Sequence, residues 1–244
     1  MLLKLNDPKA FSDAISIMSE LVNEVRIKVS KGGMSAIAVD PANVALVSLK
    51  IPHSAFSQFE SEEEELCVNL EDLKQVLKRA QAGGSLTLEK KENKLVVSMQ
   101  DTVKRSFTLS LINLESEEKQ IPELEFKNKV LMSSTLFQHA VEDAGIVSDA
   151  CTLNTTSDSF SIEAKGSLNS SLTTFNSDEA KFSGEGKSRY SLEYLQKFVK
   201  GGKLAENVYL QYYHSQHKSE YPLRVDFLGN VELTFILAPR VEEE

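Results

Sequence analysis

This chain reads as one unit written twice. Asp7-Pro8-Lys9-Ala10-Phe11-Ser12-Asp13-Ala14-Ile15 lies on Ser133-Ser134-Thr135-Leu136-Phe137-Gln138-His139-Ala140-Val141, matching a capping residue with a capping residue and Phe, Ala and a β-branched residue with their like. A second stretch, Asn69-Leu70-Glu71-Asp72-Leu73 through Lys78, lies in the same way on Ser191-Leu192-Glu193-Tyr194-Leu195 through Lys200. Phe11 to Leu73 is 62 positions and Phe137 to Leu195 is 58. Two matches in the same order at nearly the same spacing indicate a duplicated fold. Between the copies runs Leu111 to Lys127, acidic, with one proline and no sustained strand or helix period, which reads as an extended tether. The expected boundaries are residues 1–112, a linker at 113–125, and residues 126–244.

In the first half, Asp7-Pro8 is a strong helix start, a carboxylate followed by a residue with no amide to leave unpaired. Phe11, Ala14, Ile15, Met18, Leu21 and Val22 then form an apolar stripe at helical spacing. From Val25 the period becomes two, giving strands at 25–30, 34–39 and 44–51 with turns at Lys31-Gly32-Gly33 and Asp40-Pro41-Ala42-Asn43. Glu60 to Glu65 reads as a solvated acidic loop. A short strand at 66–69 leads into a helix at 70–81, capped by Asn69 and ended by Gly83-Gly84. Strands at 85–90, 94–100 and 104–112 close the unit, the last with no evident neighbour.

The order returns after the tether. A strand at 126–132 precedes a helix capped by Ser133 or Ser134 and running to about Ala144, and strands follow at 150–155, 159–165 and 172–176. A loop around 177–186 leads to a strand into Ser191, a helix at 192–199, and strands at 208–213, 223–228 and 231–237. Each half is thus helix, strands, helix, strands, an α+β arrangement with helices on one face of antiparallel sheet.

Little here points to catalysis. Gly186-Lys187-Ser188 resembles the end of a phosphate-binding loop, but Lys181 stands where that loop needs glycine. His214 and His217 lie in a polar segment without thiolate or paired acid at ligand spacing. His139 and Asp143 share a helix face, yet no nucleophile stands beside them in any motif. Cys67 and Cys151 fall in separate halves among apolar neighbours and are expected to be buried free thiols. No metal and no cofactor is expected. MLLKLNDPK has too short an apolar run for a signal peptide, and no stretch of about 18 apolar residues is present to cross a bilayer.

A net charge of −9 argues against a protein that clings to nucleic acid over its whole surface. Cations nevertheless gather at the end of each second helix: Lys74, Lys78 and Arg79, then Lys197, Lys200 and Lys203. Helix carboxyl ends favour cations on their own account, and a surface facing a polyanion is the other reading. The first helices carry Asp13, Glu20, Glu142 and Asp143 on their polar faces.

With repeats, tether and tail in place, the chain resembles the proliferating cell nuclear antigen family of sliding DNA clamps, archaeal members above all. The resemblance rests on Ala38-Val39-Asp40-Pro41-Ala42-Asn43-Val44-Ala45-Leu46-Val47, Val68-Asn69-Leu70 through Leu77-Lys78, Gln120-Ile121-Pro122-Glu123, Val147-Ser148-Asp149, Tyr194-Leu195 to Lys200, and Leu237-Ala238-Pro239-Arg240-Val241-Glu242, in that order.

The resemblance implies a non-catalytic ring of three subunits, with helices inside around duplex DNA and sheets outside. Sequence-independent phosphate contacts would come from Lys74, Lys78, Arg79, Lys197, Lys200 and Lys203. Ring closure would pair the strand holding Lys104, Phe107, Leu109 and Leu111 with the Leu172 and Thr174 strand of the next copy. Docking motifs of a DNA polymerase, nuclease, ligase and clamp loader would enter a pocket of Val39, Val44, Leu46, Ile121, Pro122, Pro222, Ile236, Ala238 and Pro239. Lys119, two before Ile121, stands where animal clamps of the family are usually apolar, and Ile236 stands where an aromatic is common, which bears on pocket shape and partner preference. The alternative is a clamp subunit that closes only with different chains. The expected compartment is the cytoplasm beside the nucleoid in an archaeon, or the nucleus in a eukaryote.

Overall fold

Each repeat consists of one strand, a helix, five strands, a second helix and three strands among the residues that the computed structural model describes, 1–81, 83–114, 119–213 and 221–240. The first runs β1 (Leu2–Leu5), α1 (Lys9–Met18), β2 (Glu24–Ser30), β3 (Gly33–Val39), β4 (Ala45–Pro52), β5 (Gln58–Glu60), β6 (Glu64–Asn69), α2 (Leu70–Leu77), β7 (Ser85–Lys91), β8 (Lys94–Gln100) and β9 (Lys104–Ser110). The second runs β10 (Asn128–Ser133), α3 (Ser134–Gly145), β11 (Ala150–Thr155), β12 (Phe160–Lys165), β13 (Ser170–Phe175), β14 (Ala180–Ser183), β15 (Gly186–Ser191), α4 (Leu192–Phe198), β16 (Asn207–Tyr212), β17 (Leu223–Leu228) and β18 (Glu232–Leu237).

Pairing repeats as well. In the first repeat β1 pairs antiparallel with β5 and β7, and β2 with β3 and β6. In the second, β10 pairs with β14 and β16, and β11 with β12 and β15. The strand orders β5-β1-β7-β8-β9 and β14-β10-β16-β17-β18 are therefore the same order twice. The second helices are tied in alike: the Leu70 amide donates to Asn23 O at 2.8 Å, and the Leu192 amide to Asp149 O at 2.9 Å. Asn23 and Asp149 each stand 12 positions after the paired phenylalanines Phe11 and Phe137.

By contacts the chain forms two units. Met1–Pro41, Val47–Ile121 and Gly229–Leu233 make the first; Ala42–Leu46, Pro122–Leu228 and Thr234–Glu244 make the second.

In the first unit α1 packs on α2. Phe11, Ala14, Ile15, Ile17 and Met18 of α1 meet Leu70, Leu73, Val76 and Leu77 of α2 in the interior, each such large side chain contributing about 1.5–3 kcal/mol. In the second unit α3 packs on α4 and on the 3-10 turn Val199–Lys203. Phe198 stacks on Phe235 at 4.2 Å, and Phe137 is fully buried. Gly201 lies so close to Phe227 that a β-carbon there would stand 2.3 Å from the ring.

The caps divide between expectation and correction. Asp7 Oδ1 takes the Lys9 amide at 3.0 Å, and Asn69 Oδ1 takes the Glu71 and Asp72 amides at 2.9 and 3.1 Å. Neither Ser133 nor Ser134 caps α3 with its side chain. Ser134 is buried, its hydroxyl donating to Ala205 O and its amide to Glu206 O, both at 2.8 Å.

α2 stops at Leu77, not at Gln81. The Arg79 and Ala80 amides turn to the carbonyls three positions back, which tightens the chain before the glycines are reached. Glu60 to Glu65 is not one solvated loop, for Glu60 ends β5 and Glu64 opens β6. Cations opposite make this possible: Lys90 reaches Glu64 at 3.1 Å and Arg26 reaches Glu65 at 3.6 Å. β14 occupies part of the stretch read as a loop at 177–186. Cys67 and Cys151 are both free thiols, Cys151 buried and Cys67 half-buried.

Both described ends of the tether are attached to folded structure. At its start the Leu111 amide donates to Asn93 O, the Ile112 amide to Cys67 O at 2.9 Å, and Arg26 to Leu114 O at 2.8 Å. At its end the Glu125 amide donates to the Tyr221 hydroxyl at 2.8 Å.

Candidate functional site

The six predicted cations divide into two kinds. Lys74 is held by Glu71 at 3.0 Å, and Lys197 by Glu193 at 3.1 Å while also lying over the Tyr194 ring at 5.1 Å. Their side chains are only 18% and 28% exposed, so much of each charge is spent within its own helix. Lys78, Arg79, Lys200 and Lys203 are exposed, at the end of α2 and on the 3-10 turn after α4. Gly201 lets that turn lie flat on Phe227 and so present Lys200 and Lys203. On the first helices Lys9 is engaged by Asp13 at 2.5 Å, and Gln138 by Glu142 at 2.7 Å.

The predicted edge residues, Leu111 apart, fall on two strands that each have one neighbour among the described residues. β9 pairs with β8, and β13 with β12, each at the end of its sheet. Lys104, Leu172 and Thr174 are exposed, Leu172 to 65%, whereas Phe107 and Leu109 are half-buried. Leu111 lies past the end of β9 and is buried.

Of the predicted docking residues, Val39 and Ile121 belong to the first unit, and Val44, Leu46, Pro122, Pro222, Ile236, Ala238 and Pro239 to the second. Within the second unit the Ala238 amide donates to Val44 O at 2.9 Å, bringing the end of β18 beside the stretch that leads into β4. Leu46 and Ile236 are buried, Val44, Pro222, Ala238 and Pro239 half-buried, and Pro122 exposed. The tail beyond Pro239 is fixed by Arg240, whose amide donates to Arg189 O at 2.8 Å and whose guanidinium meets Asp149 at 2.8 Å.

Sequence reading missed two groups around this surface. One is the tail anchor of Arg240 and Asp149, although both residues lay in the stretches carrying the family resemblance. The other is an aromatic set of Phe126, Tyr213 and Tyr221 at the end of the tether. The cluster of aromatic residues on both sides of 214–220 was its one signal.

The remaining chemical candidates among the described residues are not assembled into sites. Gly186-Lys187-Ser188 runs along β15, paired with β11, and therefore forms no phosphate-cradling loop before a helix. His139 and Asp143 are exposed on α3. His214 and His217 lie outside the described residues. Among the described residues no three His, Cys, Asp or Glu side chains converge as a metal site, and no helix is long and apolar enough to cross a membrane. Burial pushes the Cys151 thiol up to about 12, leaving it a poor nucleophile.

Comparison with known proteins agrees with this architecture. The family model described as "Proliferating cell nuclear antigen, N-terminal domain" matches residues 1–120, and that for the C-terminal domain matches residues 120–240. A DNA polymerase sliding clamp from Thermococcus fumicolans is 38% identical over 244 residues, 96% of each chain. Among solved structures, the proliferating cellular nuclear antigen of Entamoeba histolytica superposes with a TM-score of 0.90 at 24% identity, covering 98% of both chains. A chain of the PCNA2-PCNA3 complex from Sulfolobus tokodaii gives 0.89 at 26% identity, covering 99% of this chain and 100% of that one.

Proposed function

The chain belongs to the proliferating cell nuclear antigen family, and we propose that it is a DNA sliding clamp, a ring of three identical copies that encircles duplex DNA and tethers replication and repair enzymes to it. It carries out no reaction of its own. It works in the compartment that holds the chromosome, which in an archaeal cell is the cytoplasm.

One observation carries the ring. β9 and β13 occupy the places in their repeats that β18 and β4 occupy in the others, and the end of β18 is bonded to the approach to β4 through Ala238 and Val44. A second copy thus offers β9 the counterpart of the stretch that the end of β18 meets at Val44 within the second unit. Pairing β9 with the next copy's β13 covers two edges that would otherwise template aggregation. Leu172 is then an interface residue, which accounts for a leucine at 65% exposure on an edge strand.

The DNA contact is local and non-specific. Lys78, Arg79, Lys200 and Lys203 are the exposed cations of the second helix ends, and three copies multiply them threefold around an enclosed duplex. Acidic surface elsewhere accounts for much of the −9, while Asp13, Glu20, Glu142 and Asp143 on the first helices leave the DNA-facing side less basic. Topological enclosure then replaces tight binding, and the ring slides because phosphate contacts carry no sequence information. Polymerase, nuclease, ligase and loader dock through short segments whose apolar anchors meet the second unit's Val44, Leu46, Pro122, Pro222, Ile236, Ala238 and Pro239.

Light scattering across a dilution series tests the assembly. A mass of three times 27.1 kDa is expected, and Leu172→Asp together with Thr174→Pro should reduce it to one copy. A single-copy mass for the unaltered protein at every concentration would instead favour a ring that closes with different chains.

A further inference from the structure

Tyr221 stands directly before the docking residue Pro222 and makes contacts that tie the tether to the interior of the second unit. Its hydroxyl accepts the Glu125 amide at 2.8 Å. Its ring meets Phe126 edge-on, with centroids 5.7 Å apart at 88°, and leans on Tyr213 at 5.2 Å. Lys127 in turn lies over Tyr213 at 4.9 Å. The Tyr221 carbonyl accepts the Tyr190 hydroxyl at 3.1 Å, and Tyr190 is fully buried on β15. Burial pushes the Tyr190 hydroxyl well up, so it remains a proton donor throughout the physiological range.

We propose that Tyr221 is a positioning residue for partner docking: it latches the end of the tether to the buried Tyr190, so that the segment leading from Ile121 and Pro122 is held ready before a docking peptide arrives. The proposal rests on the docking reading above. Residues 119–127 belong to no helix or strand, and nothing in their own backbone pattern orders them. A peptide that enters beneath an unordered segment must order it at the moment of binding, which weakens the complex. The latch removes part of that cost in advance. Three kinds of contact converge on one residue: its hydroxyl takes a hydrogen bond from the tether backbone, its ring packs on the next tether residue, and its carbonyl is braced from the core. A tyrosine kept only for packing would not need its hydroxyl at the Glu125 amide.

The test uses the full-length protein with Tyr221→Phe, which keeps the rings and removes the latch hydrogen bond. A fluorescein-labelled docking peptide with one aliphatic and two aromatic anchors reports affinity by anisotropy, and amide hydrogen exchange reports residues 123–126. Tyr221→Phe is expected to weaken the peptide about 3- to 10-fold and to quicken exchange at Glu125, with solution mass and melting temperature unchanged. Tyr190→Phe, which removes only the brace, should act in the same direction by about 2-fold. Unchanged affinity in Tyr221→Phe, with or without faster exchange, would overturn the proposal. So would an affinity loss matched by an equal loss of ring mass, since that would make the residue merely structural. Failure of the unaltered protein to bind the peptide at all would instead overturn the docking reading beneath it.

Discussion

Arg240 reaches back 91 positions to Asp149, its Nη1 lying 2.8 Å from the carboxylate, while its own amide donates to Arg189 O at 2.8 Å. The pair fastens the tail that carries Ala238 and Pro239 to the second unit. The hydrogen bond from Arg240, aided by its charge, holds the Asp149 carboxyl below the usual carboxylate range. Both side chains are substantially exposed, so the ion pair itself is worth about 1 kcal/mol or less.

The sign of its pH dependence follows. A carboxyl whose folded pKa is depressed stabilises the fold fully above its unfolded value of about 3.9, and the contribution is lost as pH falls through the lower folded value. Asp149→Asn should therefore melt slightly below the unaltered protein at pH 7, and the gap should close below about pH 4. Thermal melts of both proteins from pH 3 to 7 check this, and a gap that persists or grows in acid would contradict it.

The cations should not contribute equally to DNA contact. Lys78→Ala with Lys203→Ala removes exposed charges and is expected to flatten the salt dependence of DNA affinity, each lost phosphate contact lowering the slope by about 0.9. Lys74→Ala with Lys197→Ala should change it much less, because Glu71 and Glu193 already engage those lysines. Affinity measured against salt concentration separates the pairs, and equal effects would mean that the intrahelical ion pairs open on DNA.

Gly201→Ala places a methyl group 2.3 Å from the Phe227 ring. Relieving that clash should cost about 1–3 kcal/mol and displace the turn bearing Lys200 and Lys203. Denaturant melts should show the loss, and DNA retention should fall with it. Full stability would mean that Phe227 can swing aside freely.

Cys151 should resist alkylation. With the thiol pushed up to about 12 and its side chain buried, iodoacetamide at pH 8 should leave it unmodified in the folded protein and modify it after denaturation, as read by mass spectrometry of its peptide. Labelling at equal rates in both states would show that β11 opens readily.

What could be read from the sequence was whatever repeats or alternates. The Phe11 and Phe137 helices, the Asn69 cap and most strands carried a period of 3.6 or 2, and the duplication made each half a check on the other. Gln58–Glu60 and Ala180–Ser183 were missed because three or four residues are too few to establish alternation. Glu64 and Glu65 looked like solvated loop because the cations that make them tolerable in a strand, Lys90 and Arg26, are distant in sequence. The early end of α2 at Leu77 depends on backbone hydrogen bonds that no residue type announces. At the candidate site the resemblance supplied positions one by one. The contacts that brace those positions, Tyr221 with Glu125 and Arg240 with Asp149, span 96 and 91 positions and leave no local pattern.

The central claim is enclosure of DNA, and topological retention tests it most directly. Labelled protein loaded onto nicked circular duplex is passed through a sizing column in salt high enough to suppress simple electrostatic binding, before and after a single cut that linearises the circle. Co-elution with the circle and release on cutting is the predicted result. Equal release from circle and linear DNA, or equal retention on both, would contradict a closed ring.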